Sequence, residues 1–223
     1  MEQMEGKGIG FYGRVGKRLL DVVLSFLALI PALLLMLPLG LLIKMEDGGP
    51  ILFRQTRLGR NGKTFSMLKL RSMRVHSEHS GSGVYSGSND TRVTKIGRFL
   101  RKTSLDELPQ LWNILVGDMS IVGPRPALTY HPWPYEQYTE HQKQMFWVRP
   151  GLTGWAQVHG RKEVPWPERI ELNVWYVQNV SFALDVKILV RTVGKVLTAA
   201  DNENTKATAG QKEDVHETDV HHE

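Results

Sequence analysis

Val22-Val23-Leu24-Ser25-Phe26-Leu27-Ala28-Leu29-Ile30-Pro31-Ala32-Leu33-Leu34-Leu35-Met36-Leu37-Pro38-Leu39-Gly40-Leu41-Leu42-Ile43 holds 22 residues without a charge. As a straight helix such a run is about 33 Å long, enough to cross the hydrocarbon core of a bilayer. It is too long for the apolar region of a signal peptide, and no small-residue cleavage site follows it. Basic residues flank both ends: Arg14, Lys17 and Arg18 before, Lys44, Arg54 and Arg57 after. Cytoplasmic loops collect Lys and Arg, so matched flanks give a simple span no preferred orientation. Pro31, near the middle, lacks an N–H and crowds the preceding turn. Pro38 and Gly40 weaken the second half. Two readings of residues 19–44 stay open. The helix bends at Pro31 and returns, leaving both ends cytoplasmic, or it is a kinked span of the kind membrane proteins tolerate.

Around this run the chain divides into a basic segment (1–18), a body (45–200) and an acidic tail (201–223). The tail carries seven acids and two lysines, a net of −5, which leaves +10 on residues 1–200. A basic body suits nucleic acid, anionic lipid headgroups or phosphorylated substrates, and the apolar run favours the latter two over nucleic acid. Without cysteine there is no disulfide framework and no thiolate zinc site. The tail, poor in apolar residues, reads as disordered.

In the body, Ile51-Leu52-Phe53 and Phe65–Arg71 flank Arg60-Asn61-Gly62-Lys63 and predict a hairpin. Residues 76–92 read as a polar loop. Ile96, Phe99 and Leu100 with Lys95, Arg98, Arg101 and Lys102 between them predict a basic amphipathic helix suited to a membrane surface. Ser104 with Glu107 three residues on predicts a capping box opening the next helix. Residues 135–147, 168–178 and 182–198 predict further amphipathic helices. The expected fold is mixed α/β and mostly helical, with a re-entrant membrane helix, amphipathic surface helices and a small β-hairpin sheet.

The chemistry centres on Asp106-Glu107 inside Thr103-Ser104-Leu105-Asp106-Glu107-Leu108-Pro109-Gln110-Leu111. Acids favour the first turn of a helix for its dipole alone. Two adjacent carboxylates also supply a nucleophile and a divalent-metal ligand, as phosphoryl transfer requires. Lys69, Arg71, Arg98, Arg101, Arg125 and Arg161 are the candidate phosphate contacts. Arg125, locked in Gly123-Pro124-Arg125-Pro126, presents one guanidinium from a rigid loop. Gly151, Gly154 and Gly160, three glycines in ten residues, suggest a close-approach loop for a nucleotide or sugar. Neither a Walker A loop nor a dinucleotide fingerprint is present. The histidines show no metal-ligand spacing, and His216, His221 and His222 of the tail are incidental.

Four blocks carry a resemblance: Lys69–Met73, Leu100–Leu111, Gly117–Pro126 and Arg149–Val158. In that order the chain resembles the bacterial sugar transferase family, the small monotopic phosphoglycosyl transferases that prime glycan assembly. The similarity runs from Lys17 to about Leu197. It implies a two-step reaction in which Asp106 attacks the β-phosphate of a UDP-sugar, UMP leaves, and undecaprenyl phosphate takes the phosphosugar from the aspartate. It implies Mg²⁺ on Glu107, with Arg101, Arg125 and Arg161 at phosphate and nucleotide; the expected substrate-binding set also includes Lys69, Arg71, Arg98 and Gln157. It favours the re-entrant reading with Pro31 at the break, on the cytoplasmic face of the bacterial inner membrane. Expected partners are the UDP-sugar, undecaprenyl phosphate, the lipid bilayer and downstream glycosyltransferases, with a homodimer left open. Capsule, exopolysaccharide, O-antigen and glycoprotein assembly are all open as pathways. Ile30 stands where many members have Ser, and His159 where Asn is common, a change that bears on sugar choice. The four extra spanning helices and the additional domain of large relatives are expected to be absent. A Mg²⁺-dependent nucleotide-sugar hydrolase and a non-catalytic membrane adaptor are the rival readings.

Overall fold

The computed structural model describes residues 10–75, 77, 90–160 and 164–198. Most of the polar loop at 76–92, Arg161 and the acidic tail lie outside the described residues. A π-helical turn, Tyr12–Gly16, leads into α1 (Lys17–Asp47), a single helix of 31 residues. Pro31 and Pro38 lie inside it and end it at neither point, so the break expected at Pro31 is absent. Each proline removes one backbone bond, to the carbonyls of Leu27 and Leu34, and the leucine-rich ladder on either side continues. Gly48, left-handed at φ 73°, stops the helix by donating its N–H to the Lys44 carbonyl.

One stripe of α1 is covered along its whole length: Lys17, Asp21, Ser25, Ala32, Leu39, Gly40 and Ile43 are buried, with Leu29 and Met36 half-buried between them. The three- and four-residue steps are those of one helix face. The other faces are apolar and bare, with Leu34 68% and Leu37 72% exposed.

β1 (Leu52–Leu58) and β2 (Thr64–Leu70) form the expected antiparallel hairpin, with Leu52 opposite Leu70 and Leu58 opposite Thr64. Asn61 takes the left-handed conformation at the turn, φ 56°. α2 (Lys95–Thr103) begins at Thr94, whose side chain accepts from the Gly97 N–H. α3 (Gln110–Val116) follows a 3₁₀ turn, Leu105–Glu107. β3 (Ser120–Val122) pairs in parallel with β4 (Gly151–Thr153). Short α4 (Glu140–Lys143) and α5 (Trp155–Val158) precede α6 (Trp166–Gln178) and α7 (Phe182–Thr198).

Three expectations change. Ser104 does not open a helix: it closes α2 in the left-handed conformation at φ 57°, makes no side-chain cap bond, and donates its backbone N–H to the Arg101 carbonyl. A helix N-cap needs extended backbone at that position, which this φ excludes. Residues 135–147 are not one helix but 3₁₀ turns on either side of α4, whose capping box is Thr139 with Gln142. A capping box starts a helix, so the periodic pattern is cut at its middle. The apolar stripe of α2 is split: Leu100 is fully buried and Ile96 packs beside it, while Phe99 is 52% exposed.

The core joins α1 to the body. Ala32 packs with Met67, Leu111, Ile114 and Met119. Leu39 and Ile43 pack with Leu70 and Leu100. Val122, Val158, Tyr176, Val177 and Ile188 fill the far side beneath α6 and α7. The strand and turn that carry the charged residues below are therefore seated on the apolar helix itself.

Candidate active site

Asp106 and Glu107 sit on the 3₁₀ turn between α2 and α3, and the turn lies against β2, which carries Lys69. Both carboxylates are largely buried, at 11% and 12% side-chain exposure. The Lys69 ammonium lies 2.9 Å from Glu107 Oε1 and 3.8 Å from Asp106 Oδ2. Arg125 Nη2 donates to the same Glu107 Oε1 at 3.0 Å. Arg125 keeps about a third of its side chain exposed, so the cluster opens to solvent on that side.

Close backbone packing brings Arg125 here. A Cβ on Gly151 would lie 2.1 Å from the Gly123 nitrogen, and one on Gly154 would lie 2.0 Å from the Gly123 carbonyl oxygen. These glycines let the segment after β3 and the one through β4 touch main chain to main chain. The close approach expected for a ligand is, for Gly151 and Gly154, an approach of the chain to itself. Arg101, at the end of α2, donates from Nε to Ser72 Oγ at 2.9 Å. Gly97 makes this reachable, because a Cβ there would fall 1.9 Å from the Ser72 carbonyl oxygen. Ser72 was not among the residues the sequence singled out. It carries no charge, unlike Lys69 and Arg71 on either side of Leu70, and nothing in the local sequence sets it apart.

Burial pushes the Asp106 carboxyl above the usual carboxylate range; Lys69 opposes this most, Glu107 adds to it, and Arg101 and Arg125 pull it back. Burial draws the Arg101 guanidinium down and Asp106 resists. Arg125 is raised, first by the charge of Glu107. The arrangement is a carboxylate kept short of solvent, a second carboxylate clamped by two cations, and a third cation within electrostatic reach. Such a set has the charges to bind and polarise a phosphate ester.

The remaining sequence candidates differ in where they stand. Arg71 is buried and commits its guanidinium to both Asp47 oxygens and to the Pro50 carbonyl at 2.6 Å. It fastens the end of α1 to the end of β2, so the structure gives it an anchoring place and does not bring it to the carboxylates. Arg98 is exposed on α2. Gln157 is buried on α5, beside Gly154, with neither amide atom partnered among the described residues. Arg161 lies outside the described residues. His159, just past α5, lies tilted against Trp155 with ring centres 3.8 Å apart, and its Nε2 accepts a hydrogen bond from Arg191 Nη1 of α7 at 2.7 Å.

Among the described residues no three His, Cys, Asp or Glu side chains converge on a metal position. Two adjacent carboxylates could contribute ligands to Mg²⁺, as in sites that use one or two carboxylates and complete the shell with substrate phosphates and water.

A family model described as "Bacterial sugar transferase" matches residues 12–199. The chain is 46% identical over 191 residues to a UDP-glucose:undecaprenyl-phosphate glucose-1-phosphate transferase of Xanthomonas campestris pv. campestris, covering 83% of this chain and 40% of that protein. It is 41% identical over 197 residues to the uncharacterized sugar transferase EpsL of Bacillus subtilis (strain 168), covering 88% of this chain and 94% of that one. It is 40% identical over 195 residues to an undecaprenyl-phosphate galactose phosphotransferase of Salmonella typhimurium, covering 81% of this chain and 40% of that protein. The chain thus spans about 40% of the length of two of these three relatives.

Proposed function

The chain belongs to the bacterial sugar transferase family, and on that footing we propose that it moves a sugar 1-phosphate from a UDP-sugar to undecaprenyl phosphate, releasing UMP. The observation that carries the reading is the buried Asp106–Glu107 pair held by Lys69 and Arg125. Burying charge is costly, and a non-catalytic adaptor has no chemistry for two adjacent carboxylates held by cations to perform. In the first step an Asp106 oxygen bonds to the β-phosphorus, the bond from that phosphorus to the bridging oxygen breaks, and UMP departs with the electron pair. In the second, an oxygen of undecaprenyl phosphate bonds to the same phosphorus and the Asp106 carboxylate is regenerated. Lys69, Arg101 and Arg125 hold the phosphate oxygens as charge shifts between them. Glu107, with Asp106 beside it, would hold Mg²⁺, which neutralises diphosphate charge when bound.

The membrane reading is a one-sided embedding on the cytoplasmic face. Its support is that both ends and the middle of α1 dock on one body. At the start, Lys17 pairs with Asp185 at 2.6 Å, Arg18 donates to the Ile114 and Leu115 carbonyls, and Asp21 accepts from the Ile121 N–H. At the end, Glu46 accepts from the Lys95 and Ile96 N–H groups and Asp47 holds Arg71. A helix crossing a bilayer would have to give up one of these polar ends. Lying along the body, it offers its bare leucine face to lipid.

The test is UMP release from UDP-glucose and UDP-galactose, with and without undecaprenyl phosphate. Release dependent on the lipid acceptor, with a phosphosugar adduct on Asp106 by intact mass when the acceptor is withheld, is expected. Steady release without acceptor would make the protein a hydrolase. No release with any UDP-sugar would remove the transferase reading.

A further inference from the structure

We infer that Asn113 is a positioning residue for the site: its carboxamide fixes the register between the strand bearing Lys69 and the helix that follows Asp106 and Glu107. The inference rests on the transferase reading above. β1 pairs with one edge of β2, and the other edge has no third strand among the described residues. On that free edge Asn113 Oδ1 accepts from the Leu68 N–H at 3.0 Å, and Nδ2 donates to the Ser66 carbonyl at 2.9 Å. A carboxamide carries a donor and an acceptor side by side, as a peptide group does, so one side chain stands in for a strand residue. Nδ2 also donates to Asp118 Oδ2 at 3.1 Å.

The main chain of Asn113 does a second job. Its carbonyl accepts from the N–H groups of Gly117, Asp118 and Met119, at 3.1, 2.9 and 3.1 Å. It therefore turns the chain from α3 into β3, whose continuation carries Arg125. Three segments that bring charge to the site converge on this residue, which is 2% exposed. Lys69 follows Leu68 directly, so a slip of β2 against α3 moves its ammonium away from both carboxylates. Leucine at 113 would take the partner from both the Leu68 N–H and the Ser66 carbonyl. Aspartate would keep the acceptor but turn an oxygen toward the Ser66 carbonyl and the Asp118 carboxylate. Asparagine alone satisfies all three partners.

The experiment is a double-mutant cycle on the full chain in nanodiscs, with UDP-glucose and undecaprenyl phosphate as substrates. Asn113→Ala is expected to lower kcat about tenfold or more when Lys69 is present. In a Lys69→Met background the same change should cost at least threefold less, a coupling of the size seen between groups that act through one another. Asn113→Ser, which can serve only one of the two backbone partners, is the second variant should Asn113→Ala fail to fold. Ile114→Val, a core change beside it, should lower Tm without changing kcat. Hydrogen exchange at residues 66–69 is read in parallel and should quicken in both Asn113 variants, whatever the activity. Additive rate losses, or unaltered exchange at Leu68, would overturn the inference. Absence of UMP release in the unsubstituted protein would instead strike at the transferase reading, and the exchange result would still decide the anchoring.

Discussion

Replacing Asp185 by Ala tests how α1 is held to the body. Asp185 Oδ2 accepts from Lys17 Nζ at 2.6 Å and from the Tyr12 hydroxyl at 2.8 Å, and Oδ1 accepts from the Tyr176 hydroxyl at 2.7 Å. Asp185 is 3% exposed and Lys17 7%, so water cannot replace the lost partner cheaply. Removing one member of a buried ion pair costs about 3–5 kcal/mol, because the other charge is left uncompensated. For a domain of this size that is a fall in Tm of about 6–20 °C. The Tyr176 hydroxyl keeps a contact with the Val122 carbonyl at 3.3 Å, so it adds little to the loss. Burial and the Asp185 charge together hold that phenol well above its usual range, so it stays protonated throughout. The assay is thermal and urea unfolding in one detergent, with Lys17→Met/Asp185→Leu as the partner variant. With both charges gone the double variant should regain at least half of the loss, since apolar replacement of a whole buried pair is often neutral. A loss below about 1 kcal/mol in Asp185→Ala, the value of an exposed pair, would refute the buried staple.

Lys69→Met keeps the unbranched apolar stem and removes the charge facing both carboxylates; losing a charge-assisted contact of about 1.5–3 kcal/mol predicts a 10- to 150-fold lower rate of UMP release, and activity within twofold of the parent would exclude Lys69 from the site. Tyr138→Phe removes a buried hydroxyl that has no partner among the described residues, so stability at pH 7 should hold or rise. Burial pushes the Tyr138 phenol up to about 12. The native state then keeps a proton that the unfolded chain releases above pH 10, so the parent should lose stability between pH 10 and 12 relative to Tyr138→Phe. Equal alkaline unfolding of the two proteins would contradict this. For topology, single cysteines at Gly10, where a Cβ meets open space, and at Lys63 should resist an impermeant thiol reagent in intact cells and react after lysis. Lys63 has extended backbone that a cysteine adopts without strain. Labelling of the Gly10 cysteine in intact cells would indicate a helix that spans.

Several elements were legible because their signals are local. The hairpin needed only alternation and an Asn-Gly turn, and it falls where the pattern put it. α6 and α7 follow from apolar periodicity that no internal break contradicts. Ser104 misled because a serine before an acid is a cap only if the backbone is extended, and local sequence does not set that φ. Arg71 misled for a different reason. Two positions from Lys69 on an alternating strand it shares a face in pattern, yet its nearest charge is Asp47, which is 24 residues away in sequence and only chain folding brings close.

By itself the sequence determined the family, the apolar helix and the adjacent carboxylates, since each is written in residue types at short spacing. The tertiary structure alone decided which cations meet those carboxylates, what Ser72 and Asn113 do, and that one face of α1 is seated on the body from end to end. Charge is a property of a residue, but pairing is a property of distance across the fold. Lys69 to Glu107, Arg125 to Glu107 and Lys17 to Asp185 join positions 38, 18 and 168 residues apart, which no local pattern encodes.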